Sequence, residues 1–420
     1  MTSTPSARPA PVRLDDLADP VFPPEIHQLR ATLEDVAKTL PPLEPDVLMK
    51  AATEQAGGLH DFGDQSFLPR LELLCHALTT DVDLGAAGLV GAHSQLTSLL
   101  RNRLLIEHEI AEHPDVLDVE IRRPIVICGL PRTGTTHLHN LVAADPSLRS
   151  LPYWESLEPV LPAHERGITP DPRLARTDFA LGVVNKAMPH FKRMHEMTVD
   201  HVHEEIQLLA IDFSTMLFET MAPMPTWRDA YLATDQTPSY AYLKRVMQVL
   251  TYLRGGERWV LKSPQHIEQF GPLSTVFPDA TFVVTHRDPV AVTISMATML
   301  AYSARMSFDH PDPARVGRYW SERGETMLRA CVRDRDLLPP EQTIDVRFDE
   351  FMSDDVAMVE RIYRVAEQPF TATTRAAMDD FMATHPRGRH GSIVHDPGVL
   401  GIDVDERRGS LRFYADRFGV

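Results

Sequence analysis

Cysteine is scarce in this chain: three in 420 residues, Cys75, Cys128 and Cys331. An odd number at wide spacing supports neither a disulfide framework nor a zinc pattern, so all three read as small buried apolar residues. Long apolar runs are missing too. No stretch approaches the roughly 20 residues of a membrane-crossing helix. The first residues, Met1 to Leu14, are rich in Pro, Ala, Ser and Thr and carry no apolar segment, which reads as a disordered leader rather than a secretory signal. The expectation is a cytoplasmic protein without a transmembrane segment. Basic charge is also short, with 42 Lys and Arg against 59 Asp and Glu and a net charge of −17. Nucleic-acid binding needs a basic footprint, so nucleic acid is excluded as a partner. A small anion in a locally positive pocket is not. No internal repeat is visible.

What is present is ordinary globular material, 43% hydrophobic and 24% charged, enough for a large core. Residues 15 to 115 read as an N-terminal helical region, with apolar stripes at Leu71, Leu73, Leu74 and Leu78 and at Leu96, Leu99, Leu100, Leu104, Leu105 and Ile106. At Pro124 the texture changes. Pro124–Cys128, Trp259–Lys262, Thr281–Thr285 and Thr343–Arg347 are short apolar runs of the kind that form buried parallel strands. A helical insertion is expected over 173–255, broken by Pro223, Pro225 and Pro238. Strands alternating with helices predict an α/β domain over 116–420, a parallel sheet flanked by helices. Its last part, 384–420, is rich in Gly, Arg, His and Asp and reads as a lid segment.

The first strand run is followed by Gly129-Leu-Pro-Arg-Thr-Gly-Thr-Thr136 and a helix start. Free N–H groups at a helix start, close-approaching glycines and hydroxyls are general phosphate-binding apparatus. Arg132, Thr133, Gly134, Thr135 and Thr136 are the candidate binding residues. The nucleoside-triphosphate version of this loop is G-x-x-x-x-G-K-[ST]. Here Thr135 stands where its lysine would be, which argues against an ATPase or kinase.

The run 124–146 resembles the 5′-phosphosulfate loop of sulfotransferases that use 3′-phosphoadenosine-5′-phosphosulfate (PAPS), in the bacterial and tyrosylprotein-type branch with P-R-[ST]-G-T-T. The segments 58–64, 151–156, 259–266, 277–289 and 413–419 extend the resemblance over nearly the whole chain. It implies a P-loop-like sulfotransferase fold, with PAPS as donor, a hydroxyl-bearing small molecule, lipid or glycan as acceptor, and no metal. It further implies that Arg287, at a strand end, and Ser295, on the next helix, bind the donor's 3′-phosphate. The segment 385–391 would close over that phosphate, with Arg389 as the contact. After Gly391 the chain departs from the family pattern. The other readings are a phosphotransferase or NTPase with a degenerate loop, and a non-catalytic nucleotide-binding protein of the same fold.

Sulfuryl transfer calls for preorganised cations and a base for the acceptor's proton. Lys262 ends an apolar strand, on the edge where ligands gather in open α/β sheets, and the resemblance implies that it joins Arg132 as a cation at the leaving group or the sulfuryl oxygens. For the base, Glu155, Glu204 and His203 are candidates, followed by His266. The cluster His201 to Glu205 is too weak a pattern for a metal site. Methionines 188, 194, 197, 216, 221 and 224 read as core or as the wall of an apolar acceptor pocket. Nothing in the pattern specifies an oligomeric state.

Overall fold

The computed structural model describes residues 8–420. Six strands are present among them: β1 (Val12–Arg13), β2 (Ile125–Cys128), β3 (Val260–Ser263), β4 (Thr281–His286), β5 (Thr343–Arg347) and β6 (Ile393–Val394). β2 to β5 form one parallel sheet in the order β3-β2-β4-β5. All four expected runs are strands, to within a residue or so at their ends. β2, β3 and β4 are buried along their whole length, as continuous apolar runs in a parallel sheet should be.

Because side chains alternate along a strand, β2, β3 and β4 each feed two cores. Ile125, Ile127, Val260 and Val283 point into a smaller one with Leu138, Leu141 and Tyr363. Val126, Cys128, Leu261, Phe282 and Val284 point into a larger one, shared with the N-terminal helices and with helix Thr237–Arg254. The larger core includes Leu71, Leu74 and Leu78 and the stripe on helix Ala86–Glu112. The cysteines are free and buried.

Two expected segments come out differently. The region 173–255 is helical only at Pro172–Ala187, Pro225–Ala233 and Thr237–Arg254. Between the first two the chain runs as an ordered loop with short helical turns. Its backbone is committed elsewhere, with Tyr153 and His203 exchanging N–H bonds across to His201 and Leu151 at 2.9 and 2.7 Å. The leader is the second. Residues 1–7 lie outside the described residues, but Val12–Arg13 is strand β1, paired in parallel with β6. Arg13 bonds Asp396 (2.8 Å), and Asp16 pairs with the buried Arg305 (2.9 Å). Sequence texture could not show this, because the partner strand lies at the far end of the chain.

From β2 the chain crosses to β3 on one side, then to β4 on the other. The carboxyl end of β2 is therefore the sheet's topological switch point, where a crevice opens between diverging connections.

Candidate active site

The loop after β2 fills that switch point. A Cβ on Gly129 would lie 1.9 Å from Thr285 Oγ1 on β4, so only glycine fits. Thr133 Oγ1 lies 2.7 Å from the same Thr285 hydroxyl and donates to the Leu130 carbonyl at 2.7 Å. Arg132 takes a left-handed conformation, φ +75°, which is strained for a side-chain-bearing residue. It is held by its neighbours. Arg287, just past β4, donates to the Arg132 carbonyl at 2.7 Å, and the Arg132 guanidinium donates to Ser295 Oγ at 3.1 Å and to the Met194 carbonyl. Gly134, φ +89°, opens the helix Thr135–Ala143, and no side chain caps that start. Its first N–H groups are left to face an anion.

Arg287 stacks over Phe348 at 4.0 Å. The helix carrying Ser295 runs from Pro289 to Ser303 and is capped by Asp288, which accepts from Val290 N–H at 3.0 Å. Neither Arg132 nor Arg287 has a carboxylate within salt-bridge distance among the described residues, unlike Arg149, Arg173 or Arg323. Burial lowers the pKa of both, and for Arg132 the charge of Arg287 adds to the effect.

These groups line a cavity of about 670 Å³, with Gly134, Thr135, Thr136, Lys192, Arg193, His201 and Phe348. Its rim is His385–Gly391, so the lid expected from the sequence borders this cavity. Arg389 lies in it but is paired with Glu196 at 2.5 Å. A second cavity, of about 240 Å³, is lined mainly by apolar side chains, among them Ile206, Met216, Met296, Met299, Leu300 and Trp320. The two share Arg132, Thr135 and Thr136. At the second cavity sit Lys262, Glu204, His203 and His195. Lys262 Nζ pairs with Glu204. His203 has a buried Nδ1 without a partner among the described residues. Burial first, then the charges of His201, His195 and Lys262, hold its pKa well below the usual imidazole value.

The structure brings Arg132, Gly134, Thr135, Thr136, Arg287, Arg389, Lys262, Glu204 and His203 to the two cavities. Thr133 and Ser295 line neither but bond to Thr285 and Arg132, and Glu155 and His266 lie apart. Glu155 is fully buried and bound by Arg149 (2.7 Å) and Arg254 (2.8 Å). Arg149 pairs with Trp259 at the start of β3, whereas the cleft lies at the strand's other end. His266 lines neither cavity and pairs with Glu205. Of the methionines marked in the sequence, only Met216 lines the apolar cavity, and Met188, Met194 and Met224 are core. Met296, Met299 and Trp320 were missed, because an apolar helix face reads the same whether it meets core or cavity. No group of His, Cys, Asp or Glu among the described residues is arranged to hold a metal ion.

A phosphate-type loop at a switch point, two guanidiniums without carboxylate partners among the described residues facing one cavity, and a lysine–carboxylate pair facing the next define an α/β group-transfer enzyme with an anionic donor. Residues 124–372 match the model of the sulfotransferase family, and the chain belongs to that family. It is a sulfotransferase. Two curated relatives, the omega-hydroxy-beta-dihydromenaquinone-9 sulfotransferases Stf3 of Mycobacterium bovis and Mycobacterium tuberculosis, are each 24% identical over 325 residues, spanning 70% of this chain and 75% of theirs. Sulfotransferase STF9 from Mycobacterium avium superposes with a TM-score of 0.80 at 28% identity, covering 90% of this chain and 97% of that one. STF1 from Mycobacterium tuberculosis H37Rv gives 0.76 at 26%, covering 89% and 98%. The phosphotransferase reading is not favoured.

Proposed function

We propose that this sulfotransferase moves the sulfuryl group of PAPS to a hydroxyl carried on an apolar acceptor, without a metal and in the cytoplasm. The observation that carries this is the pair Arg132 and Arg287, two cations without carboxylate partners among the described residues, in a cavity that meets an apolar one at the phosphate loop. In this reading Thr133 to Thr136 and Arg132 hold the 5′-phosphosulfate, and Arg287 and Ser295 hold the 3′-phosphate. Arg389 turns from Glu196 to the same phosphate when the lid closes.

Glu204 is the base. It lines the apolar cavity beside Lys262, where an acceptor hydroxyl would enter. The acceptor oxygen attacks sulfur as the sulfur–oxygen bond to the 5′-phosphate breaks, and the hydroxyl proton goes to Glu204. Lys262, released from Glu204 as that carboxylate takes the proton, meets the charge growing on the leaving oxygen. His203, kept neutral by its surroundings, offers its one ring N–H to the acceptor oxygen. The apolar lining favours acceptors with hydrocarbon next to the hydroxyl, in line with the lipid named for the Stf3 relatives.

The test is sulfate transfer from labelled PAPS to a panel of long-chain alcohols, phenols and sugars. Glu204→Gln should lower kcat by about 10²- to 10⁴-fold, the usual worth of a general base, while the Kd for adenosine 3′,5′-bisphosphate stays unchanged. Stabilisation by ATP–Mg²⁺ but not by the bisphosphate would overturn the reading.

A further inference from the structure

β3 is the edge strand of the sheet, so alternate N–H groups on its outer side lack a strand partner. At Val260 the Arg149 carbonyl accepts that N–H at 2.9 Å. Two residues on, at Lys262, no backbone is in place. The acceptor is instead the Glu205 carboxylate, whose Oε2 takes the Lys262 N–H at 2.9 Å. Glu205 is 1% exposed. Its other oxygen meets His266 Nε2, and His266 Nδ1 is hydrogen-bonded to the Tyr240 hydroxyl at 2.8 Å. His266 and Tyr240 are both fully buried.

We propose that Glu205 is a positioning residue for sulfuryl transfer, acting through Lys262 and held in place by His266 and Tyr240. This rests on the reading that Lys262 touches the transferring group. Glu205, His266 and Tyr240 line neither cavity, so none of them reaches substrate. Yet Glu204 and Glu205, adjacent in sequence, grip the two ends of one lysine, the first at Nζ and the second at the backbone N–H. The backbone grip fixes the direction in which the Lys262 side chain leaves the strand. The side-chain grip sets its resting place.

The carboxylate suits this work. Burial pushes the Glu205 pKa up, but the adjacent His266, together with backbone N–H bonds that include that of Lys262, more than offsets this and holds it below the usual value. An ionised acceptor makes the shorter and stronger bond to a peptide N–H. A stabilising role alone does not account for the arrangement, because a buried carboxylate–imidazole pair gains little over apolar packing.

A double-mutant cycle tests the assignment. Glu205→Gln should lower kcat by about 10- to 100-fold, the scale of a sub-ångström misplacement of a reacting group. The Kd for the bisphosphate and the KM for the donor should stay within about twofold, since the phosphate contacts are untouched. In a Lys262→Ala background the same substitution should change kcat by less than about threefold, because the group it positions is gone. Tyr240→Phe, which keeps the ring and removes only the hydroxyl, should show the same pattern at smaller amplitude, and serves if the glutamate variant does not fold. An equal loss in both backgrounds overturns the positioning role. A Lys262→Ala variant with unchanged kcat overturns instead the reading of Lys262 beneath it.

Discussion

Replacing Arg287 by alanine probes the anion cradle most directly, because the structure separates what the residue does for the fold from what it does for the donor. For the fold it makes one hydrogen bond, 2.7 Å to the Arg132 carbonyl, and one stacking contact with Phe348. A bond from a charged donor contributes about 1.5–3 kcal/mol and a partly exposed cation–π contact about 0.5–1 kcal/mol. Against these stands the repulsion between Arg287 and Arg132, which the substitution relieves. The ligand-free protein should therefore lose less than the roughly 2–4 kcal/mol sum of the two contacts, a melting shift of a few degrees for a chain of this size. For the donor, a half-buried guanidinium paired with phosphate is worth about 2–3 kcal/mol, the lower part of the range for buried charge pairs. At about 1.4 kcal/mol per decade that is a 30- to 150-fold weaker Kd. Calorimetric titration with adenosine 3′,5′-bisphosphate, beside a thermal melt of each variant, reads both quantities. Arg287→Lys should fall between, keeping the charge but losing the fork geometry and the stacking. A Kd for Arg287→Ala within threefold of the parent, with the melt unchanged, would refute the assignment of this cavity to the donor's phosphate.

Glu155→Gln should behave in the opposite way. It breaks a buried pair with Arg149 and Arg254, so stability should fall by about 3 kcal/mol while kcat of the folded enzyme stays within twofold; a hundredfold loss of kcat at parental stability would return Glu155 to the chemistry. Gly129→Ala drives a Cβ to 1.9 Å from Thr285 Oγ1 and should cost about 2–3 kcal/mol of stability and most of the donor affinity; a parental melt and Kd would mean the loop follows another path. Burial, followed by the charge of Lys262, depresses the pKa of His139 to about 3 and of His201 to about 4. Below pH about 6.5 the unfolded chain takes up protons that the folded chain does not, so stability is lost as pH falls towards 4, by up to about 1.4 kcal/mol per pH unit for each ring. Urea unfolding at pH 7.5, 6 and 5 reads that slope, His201→Gln should flatten it, and an equal slope in the variant argues against the neutral ring.

The sheet and the loop were legible in the sequence because their signals are local. Ile125–Cys128 can only be a buried strand, and a loop with glycines at 129 and 134 crowded with Arg132 and three threonines has no packing rationale. Lys262 was marked by its place at a strand end, and Arg287 by the resemblance to the sulfotransferase family, with which its strand-end position agrees. Glu155 misled because distance along the chain from Arg132 says nothing about which end of the sheet a side chain reaches; that depends on Arg149 and Arg254, one of them about a hundred residues away. Glu204 and Glu205 looked alike as acids near a helix start. Only tertiary structure separates them, by turning one to the Lys262 side chain and the other to its backbone.

The pairing of β1 with β6 has a consequence for the order of assembly. Arg13 and Asp396, which bond each other beside it, lie 383 positions apart. Closing so long a loop is entropically slow. Apart from its rim, the loop and cations of the cradle, with Phe348 against Arg287, lie between Gly129 and Phe348 and can take shape first, while the rim at His385–Gly391 waits for both ends of the described chain to meet. Contacts at that separation are expected to close last, so the expected order is the anion cradle before its rim. Bisphosphate added during refolding should engage the cradle before the clasp forms, so the donor's product could serve as a template for the enzyme's own completion.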